Sequence, residues 1–176
     1  TDRIIGHASS RDLIHWSEQQ AIPVMMHEPT AHNCWAPELF YDEPSQTYYI
    51  FWATTIPGRH KEIPTSESEK GLNHRIYYVT TKDFRTFSKT KMFFNPDFSV
   101  IDAAIVKDPK LGDLIMIVKN ENSNPPEKNL RVTRTKKIEK GFPTKVSAPI
   151  TGKYWAEGPA PLFVGDTLYC LFRSEE

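Results

Sequence analysis

The sequence predicts an all-β chain of the propeller type, built from four-stranded antiparallel blades. Three observations predict it: a turn motif occurs twice, a hairpin pattern occurs three times, and the two alternate with no helical periodicity between them.

The turn motif is Ser9-Ser10-Arg11-Asp12-Leu13-Ile14-His15-Trp16-Ser17, matched by Thr80-Thr81-Lys82-Asp83-Phe84-Arg85-Thr86-Phe87-Ser88. Hydroxyl and carboxylate side chains at these spacings bond nearby backbone amides, while the apolar residues pin the turn to the core. A degenerate third copy is expected at Thr135-Lys136-Lys137-Ile138, ending at Gly141-Phe142.

The hairpin pattern consists of two β-rich runs around a turn. It reads Pro37 to Tyr41 then Thr47 to Ala53, Ala103 to Val106 then Asp113 to Lys119, and Gly158 to Phe163 then Thr167 to Arg173. With these as strands A and B, the strand before each turn motif is C (Ile4 to Ser9, His74 to Thr80, Asn129 to Arg134) and the strand after it is D. The chain then runs C-D, A-B-C-D, A-B-C-D, A-B, which is the blade order of a propeller. Two full blades between two half blades do not close a ring. The expectation is therefore one partial domain over residues 1–176, cut from a longer chain, and the absence of an initial Met fits a cut.

Composition narrows the function. Twenty-two basic and 22 acidic residues cancel, which argues against nucleic acid or an anionic membrane as partner. The longest apolar run, Leu114 to Val118, is too short to span a bilayer. Cys34 and Cys170 each sit among apolar residues and read as free buried thiols, leaving the compartment undecided. His27, His32 and Cys34 crowd together in sequence, but their spacing fits no closed zinc pattern, and no metal site is assigned. Pro57 to Asn73 is a polar insertion between strands B and C, with a mobile portion expected at Ser66-Glu67-Ser68-Glu69-Lys70.

In a propeller the first strand of each blade lines the central channel, so the starts of successive A strands converge. Here those starts are Trp35-Ala36-Pro37-Glu38, Ile101-Asp102-Ala103-Ala104 and Trp155-Ala156-Glu157-Gly158-Pro159, each with a carboxylate near the same address. Glycosidic cleavage needs a carboxylic acid to protonate the departing oxygen and a carboxylate acting on the opposite face. Glu157 is the candidate acid, held by the bare turn Gly158-Pro159. Asp102 is the candidate ionised neighbour that keeps a proton on it. Trp35 and Trp155 are candidates to stack on a sugar ring or to pack between blades. Lys119-Asn120-Glu121 ends a B strand, where Glu121 is a candidate for sugar hydroxyls and a solvated rim is the plainer reading.

Trp35-Ala36-Pro37-Glu38, Ile101-Asp102 and Glu157-Gly158-Pro159, in this order and with the Ser/Thr-x-Asp-Leu/Phe-x-x-Trp/Phe turns, resemble three consecutive blade signatures of glycoside hydrolase family 43. The resemblance implies a five-bladed propeller of which about three blades' worth is present, with Glu157 as general acid and Asp102 as the aspartate that tunes it. It places a carboxylate that supports the fold or contacts sugar at Glu38. The family's general base lies on the first strand of the first blade, which this chain does not reach, and Asp2 and Asp12 sit on the wrong strands. Inversion needs base and acid roughly 6.5–9.5 Å apart, so the chain as given is expected to be inactive alone.

The implied parent is an inverting glycosidase acting on arabinofuranosyl or xylosyl linkages of plant polysaccharides or oligosaccharides. The resemblance implies no cofactor for the chemistry, admits a structural calcium in the full-length ring, and favours a secreted or periplasmic setting. The oligomeric state is left open. A fructosidase-type propeller hydrolase and a non-catalytic glycan-binding propeller are the alternatives.

Overall fold

The computed structural model describes residues 3–63, 72–122 and 125–175; the insertion segment Ser66 to Lys70 lies outside them. Among the described residues the regular elements are all strands apart from one 3-10 turn at Ile138–Lys140. Strands β1 (Ile5–His7) and β2 (Gln20–Ile22) form the first sheet. Strands β3 (Trp35–Asp42), β4 (Thr47–Thr55), β5 (His74–Thr81) and β6 (Lys91–Phe94) form the second. Strands β7 (Val100–Lys107), β8 (Leu114–Asn120) and β9 (Leu130–Thr135) form the third, and β10 (Trp155–Val164) with β11 (Thr167–Glu175) the fourth. Every pairing is antiparallel and joins strands in chain order. The four sheets run C-D, A-B-C-D, A-B-C, A-B, which departs from the predicted C-D, A-B-C-D, A-B-C-D, A-B by one strand, and they do not close on themselves.

The sheets stack through three apolar cores, because each central strand is covered on both faces. Along β4, Ile50 and Trp52 join the core shared with the first sheet, while Tyr49, Phe51 and Ala53 face the third sheet. Along β8, Leu114, Met116 and Val118 face the second sheet and Ile115 and Ile117 face the fourth. A strand buried on both sides reads as a continuous apolar run rather than an alternation, which is how β8 reads. Side chains as buried as Phe51 and Trp52 each contribute roughly 1.5–3 kcal/mol through burial. The outer face of β10 and β11 leaves Leu162, Val164, Tyr169 and Leu171 exposed. Cys34 and Cys170 form no disulfide and are half-buried against different cores.

Both predicted turn copies form with the same bonds. Asp12 Oδ1 accepts from the amides of Ile14 (3.0 Å) and His15 (2.8 Å), and Asp83 Oδ1 from those of Arg85 (2.9 Å) and Thr86 (2.8 Å). Ser17 and Ser88 each accept from an amide eight residues back with the side-chain oxygen, and each returns a backbone bond.

The third copy corrects the prediction of a second complete blade. Lys137 stands where Asp12 and Asp83 stand, so no carboxylate gathers the amides there, and the chain takes a wider path through the 3-10 turn to Gly141 (φ 72°). The serine of the motif reappears as Ser147, fifteen residues after Val132, with the same reciprocal pair of bonds. The segment beyond it meets β9 through Ile150 and Thr151 without forming a regular strand.

Candidate active site

Each first strand of the last three sheets carries a one-residue bulge at the same place. Trp35 opposes Ala53 while Glu38 opposes Phe51; Ile101 opposes Lys119 while Ala104 opposes Ile117; Glu157 opposes Arg173 while Ala160 opposes Leu171. The residue entering each bulge has positive φ: Ala36 at 45°, Asp102 at 51° and Gly158 at 60°. Such a bulge bends the strand and re-aims the side chains around it.

The three predicted carboxylates are therefore close in register but not equivalent. Glu157 precedes its bulge, Asp102 enters its bulge, and Glu38 follows its bulge. All three nevertheless line one cleft of about 310 Å³, with Pro37, Pro159 and Arg173 among its walls. A wider groove of about 690 Å³ against β1 shares Pro37 and Glu38 but contains neither Asp102 nor Glu157. Asp102 Oδ2 accepts a hydrogen bond from the Gly158 amide at 2.9 Å, joining two neighbouring bulges.

Behind the cleft runs a chain of charges. Lys128 Nζ meets Glu121 Oε1 at 2.6 Å, and Glu121 Oε2 lies 2.8 Å from Lys119 Nζ. Lys119 Nζ donates to Glu157 Oε2 at 2.8 Å, and Arg173 Nη1 to Glu157 Oε1 at 2.8 Å. The Lys119 side chain is 6% exposed and that of Arg173 67%, so one grip on Glu157 is buried and the other is at the surface.

These contacts reverse one sequence-based expectation. The hydrogen bond from Lys119 holds the Glu157 carboxyl below its ordinary pKa, with Arg173 adding to the effect against a partial burial penalty. Burial pushes Asp102 up, against the Gly158 hydrogen bond and the Lys119 charge. In this structure Glu157 is the more firmly ionised of the pair. Asp102 does repel a second negative charge on Glu157, but a buried ammonium at hydrogen-bond distance outweighs it. Burial also raises Glu38, whose side chain reaches the cleft while the residue itself remains exposed.

Glu121 is no rim residue. Lys119 and Asn120 are buried, and the Glu121 carboxylate is engaged by two lysines. Trp35 lies on the buried ring of His74, with centroids 4.9 Å apart, and keeps about half its surface exposed. His74 Nε2 accepts from Asn33 Nδ2 at 2.9 Å; the Asn33 orientation is set by its Oδ1, which accepts from the Thr55 amide. Burial lowers the His74 pKa to about 4, so the support beneath Trp35 is neutral. Trp155 is also half exposed, with the Lys128 ammonium 5.9 Å from its ring. Neither tryptophan is among the residues lining the 310 Å³ cleft. Among the described residues, no three His, Cys, Asp or Glu side chains gather as a metal site.

Sequence reasoning missed Lys119 and Arg173 as site residues. Both occupy the position opposite the bulge in their hairpins. A signal existed for Lys119, because a charge at the end of an otherwise apolar buried strand demands a partner.

A family model described as "Probable glycosyl hydrolase domain", related to glycosyl hydrolase family 43, matches residues 3–161. The chain belongs to this family. Within the curated proteins, an α-L-arabinofuranosidase of Bifidobacterium longum subsp. longum is 23% identical to this family 43-related chain over 104 residues, which is 56% of the chain and 10% of the relative. An exo-β-1,3-galactanase of Phanerochaete chrysosporium, solved as its E208Q variant with β-1,3-galactotriose, superposes with a TM-score of 0.57 at 13% identity. That match covers 82% of this chain and 33% of the galactanase. A second solved chain, from Bifidobacterium bifidum s17, gives 0.53 at 14% identity, over 81% of this chain and 46% of its own. The chain thus spans a tenth of the curated relative and a third of the first solved structure.

Proposed function

We propose that the protein containing this chain hydrolyses glycosidic bonds, with Glu157 delivering the proton to the departing oxygen and Asp102 beside it orienting the site. The observation that carries this reading is the single cleft lined by Glu38, Asp102 and Glu157 from three successive sheets. Family membership supports the reaction class. In such a reaction water adds at the anomeric carbon, the glycosidic oxygen leaves with the acid's proton, and a third carboxylate takes the proton from water. We assign that third group to a first blade completed upstream, within a five-bladed ring that contributes the rest of the site. The arabinofuranosidase and galactanase relatives support arabinofuranosyl or galactosyl linkages as the substrate class. We add xylosyl linkages of plant polysaccharides from the resemblance of the blade signatures, and assign half-exposed Trp35 and Trp155 as sugar platforms.

A second assignment is favoured by the charge pattern: Asp102, pushed up by burial, carries the proton while Glu157 stays ionised. Turnover by the full-length protein, E157Q and D102N on aryl glycosides of rising leaving-group ability separates the two. Loss of the acid is rescued on activated leaving groups that need no proton. Rescue confined to E157Q supports the first assignment, and rescue confined to D102N supports the second. Unaltered hydrolysis in both variants would falsify the site, while binding of oligosaccharide by the full-length protein without any turnover would make it a glycan-binding propeller.

A further inference from the structure

Lys119 reaches the site from behind. It is the penultimate residue of β8, whose preceding residues Leu114 to Val118 are all buried apolar side chains, and its side chain is nearly sealed from solvent. It is not among the residues lining the cleft, whereas Glu157 and Arg173 are. A buried ammonium held by one carboxylate would be costly, and here it has two, Glu157 and Glu121, each at 2.8 Å. Glu121 is itself fixed by Lys128, which also donates to the Glu121 carbonyl at 2.8 Å. The two oxygens of Glu157 are thereby made unequal. Oε2 faces the buried lysine, and Oε1 faces an arginine whose side chain is two-thirds exposed.

We propose that Lys119 is the positioning residue of this cleft: it grips Glu157 through Oε2 from the buried side, leaving Oε1, held by exposed Arg173, as the oxygen presented to a substrate. This rests on the reading of Glu157 as proton donor. A bound sugar displaces Arg173 at little cost, because a surface ion pair contributes only about 0–1 kcal/mol. It does not displace Lys119. Glu121 divides the lysine's charge between two carboxylates and so limits how strongly Lys119 holds Glu157 in its ionised form.

The groups facing Glu157 are Lys119 from β8, Arg173 from β11, Asp102 from β7 and Glu38 from β3, with Glu121 and Lys128 behind Lys119. A protonated donor is lost as pH rises through its pKa. Weakening the lysine grip therefore moves the alkaline limb of the rate profile upward, and concentrating that grip moves it downward.

The test is the pH profile of kcat and kcat/KM of the full-length protein on a panel of p-nitrophenyl arabinofuranosides, xylosides and galactosides, for wild type, K119M, K119R, E121Q and E157Q. K119M is expected to lower kcat about 10²-fold through misplacement of the donor and to raise the alkaline limb. K119R keeps a cation and is expected to restore the limb, and E121Q to lower it. If K119M does not fold, K119R and E121Q carry the test. Limbs that coincide with wild type in E121Q and in every folded Lys119 variant, while E157Q is inactive, overturn the role of Lys119 and leave the donor in place. Full activity in E157Q removes the donor reading instead.

A readout without turnover is the stability difference between wild type and E157Q as a function of pH. A carboxylate with a depressed folded pKa contributes stability above its unfolded pKa and loses it as pH falls through the folded value. That acid-side difference is expected to shrink in the K119M background, or to deepen in the E121Q background. A difference unchanged in both backgrounds overturns the grip whether or not hydrolysis is observed.

Discussion

Asp102 Oδ2 accepts the amide hydrogen of Gly158 at 2.9 Å, so the bulge of one sheet is tied directly to the bulge of the next. Both residues have positive φ, at 51° and 60°. Glycine takes this conformation freely, and aspartate is among the few other residues that tolerate it. The tie fixes the two strand ends that carry the candidate carboxylates, and it explains why an aspartate in a left-handed conformation is worth keeping here.

Substitutions at Asp102 should therefore separate hydrogen bond from backbone strain. D102A removes the acceptor and leaves a Cβ at positive φ, and is expected to destabilise by about 1–3 kcal/mol. D102G removes the acceptor but relaxes the backbone, and should lose less. D102N keeps an acceptor oxygen and should stay near wild type in urea unfolding. A D102A variant as stable as D102N would show that the tie contributes nothing.

His74 predicts an acid sensitivity well above the carboxylate range. Its folded pKa of about 4 lies below the ordinary 6.5 because burial penalises the charged ring. The stability it supports is complete above pH 6.5 and declines as pH falls towards 4, by up to about 3 kcal/mol. Urea midpoints measured between pH 4 and 7 should slope in the wild type and flatten in H74M. Parallel slopes in the two would remove His74 from the account.

Asp83 should act at lower pH. Amides of Thr86 and Arg85 hold its carboxylate down at about 2 from an ordinary 3.8. Its contribution is present above pH 3.8 and is lost as pH falls through about 2. D83N should melt lower than wild type at pH 6, with the two curves converging in acid. Proteolysis at the Arg85-Thr86 turn should rise in the same variant.

Trp35 offers a test of sugar stacking. Its ring is stacked on neutral, buried His74, and about half of the residue's surface is exposed. W35A in the full-length protein is expected to weaken oligosaccharide binding about tenfold, equivalent to roughly 1.4 kcal/mol, with KM rising more than kcat falls. Unchanged binding by calorimetry would return Trp35 to a packing role.

Much of this arrangement was legible in the sequence because it depends on local chemistry. Pro37 to Tyr41 and Thr47 to Ala53 fall inside β3 and β4, and Ser17 and Ser88 close their turns with the bonds their spacing implies. The fourth strand of the third sheet was not legible, since one missing aspartate at Lys137 reroutes the chain and delays the serine to position 147. The three bulges escaped because a bulge is a property of pairing register, which no single strand displays. The ionisation order of Asp102 and Glu157 escaped for a related reason. Lys119 and Arg173 lie 38 and 16 residues from Glu157, and only the folded sheets bring them to it.

The recurring bulge has an evolutionary consequence. Because Ala36, Asp102 and Gly158 share one backbone geometry in three successive hairpins, a functional group can migrate between hairpins, or one step along a strand, by point substitution without rebuilding the scaffold. Descendants of such a chain can redistribute acidic, aromatic and small residues among these sockets, changing what the cleft recognises while the underlying framework stays unchanged.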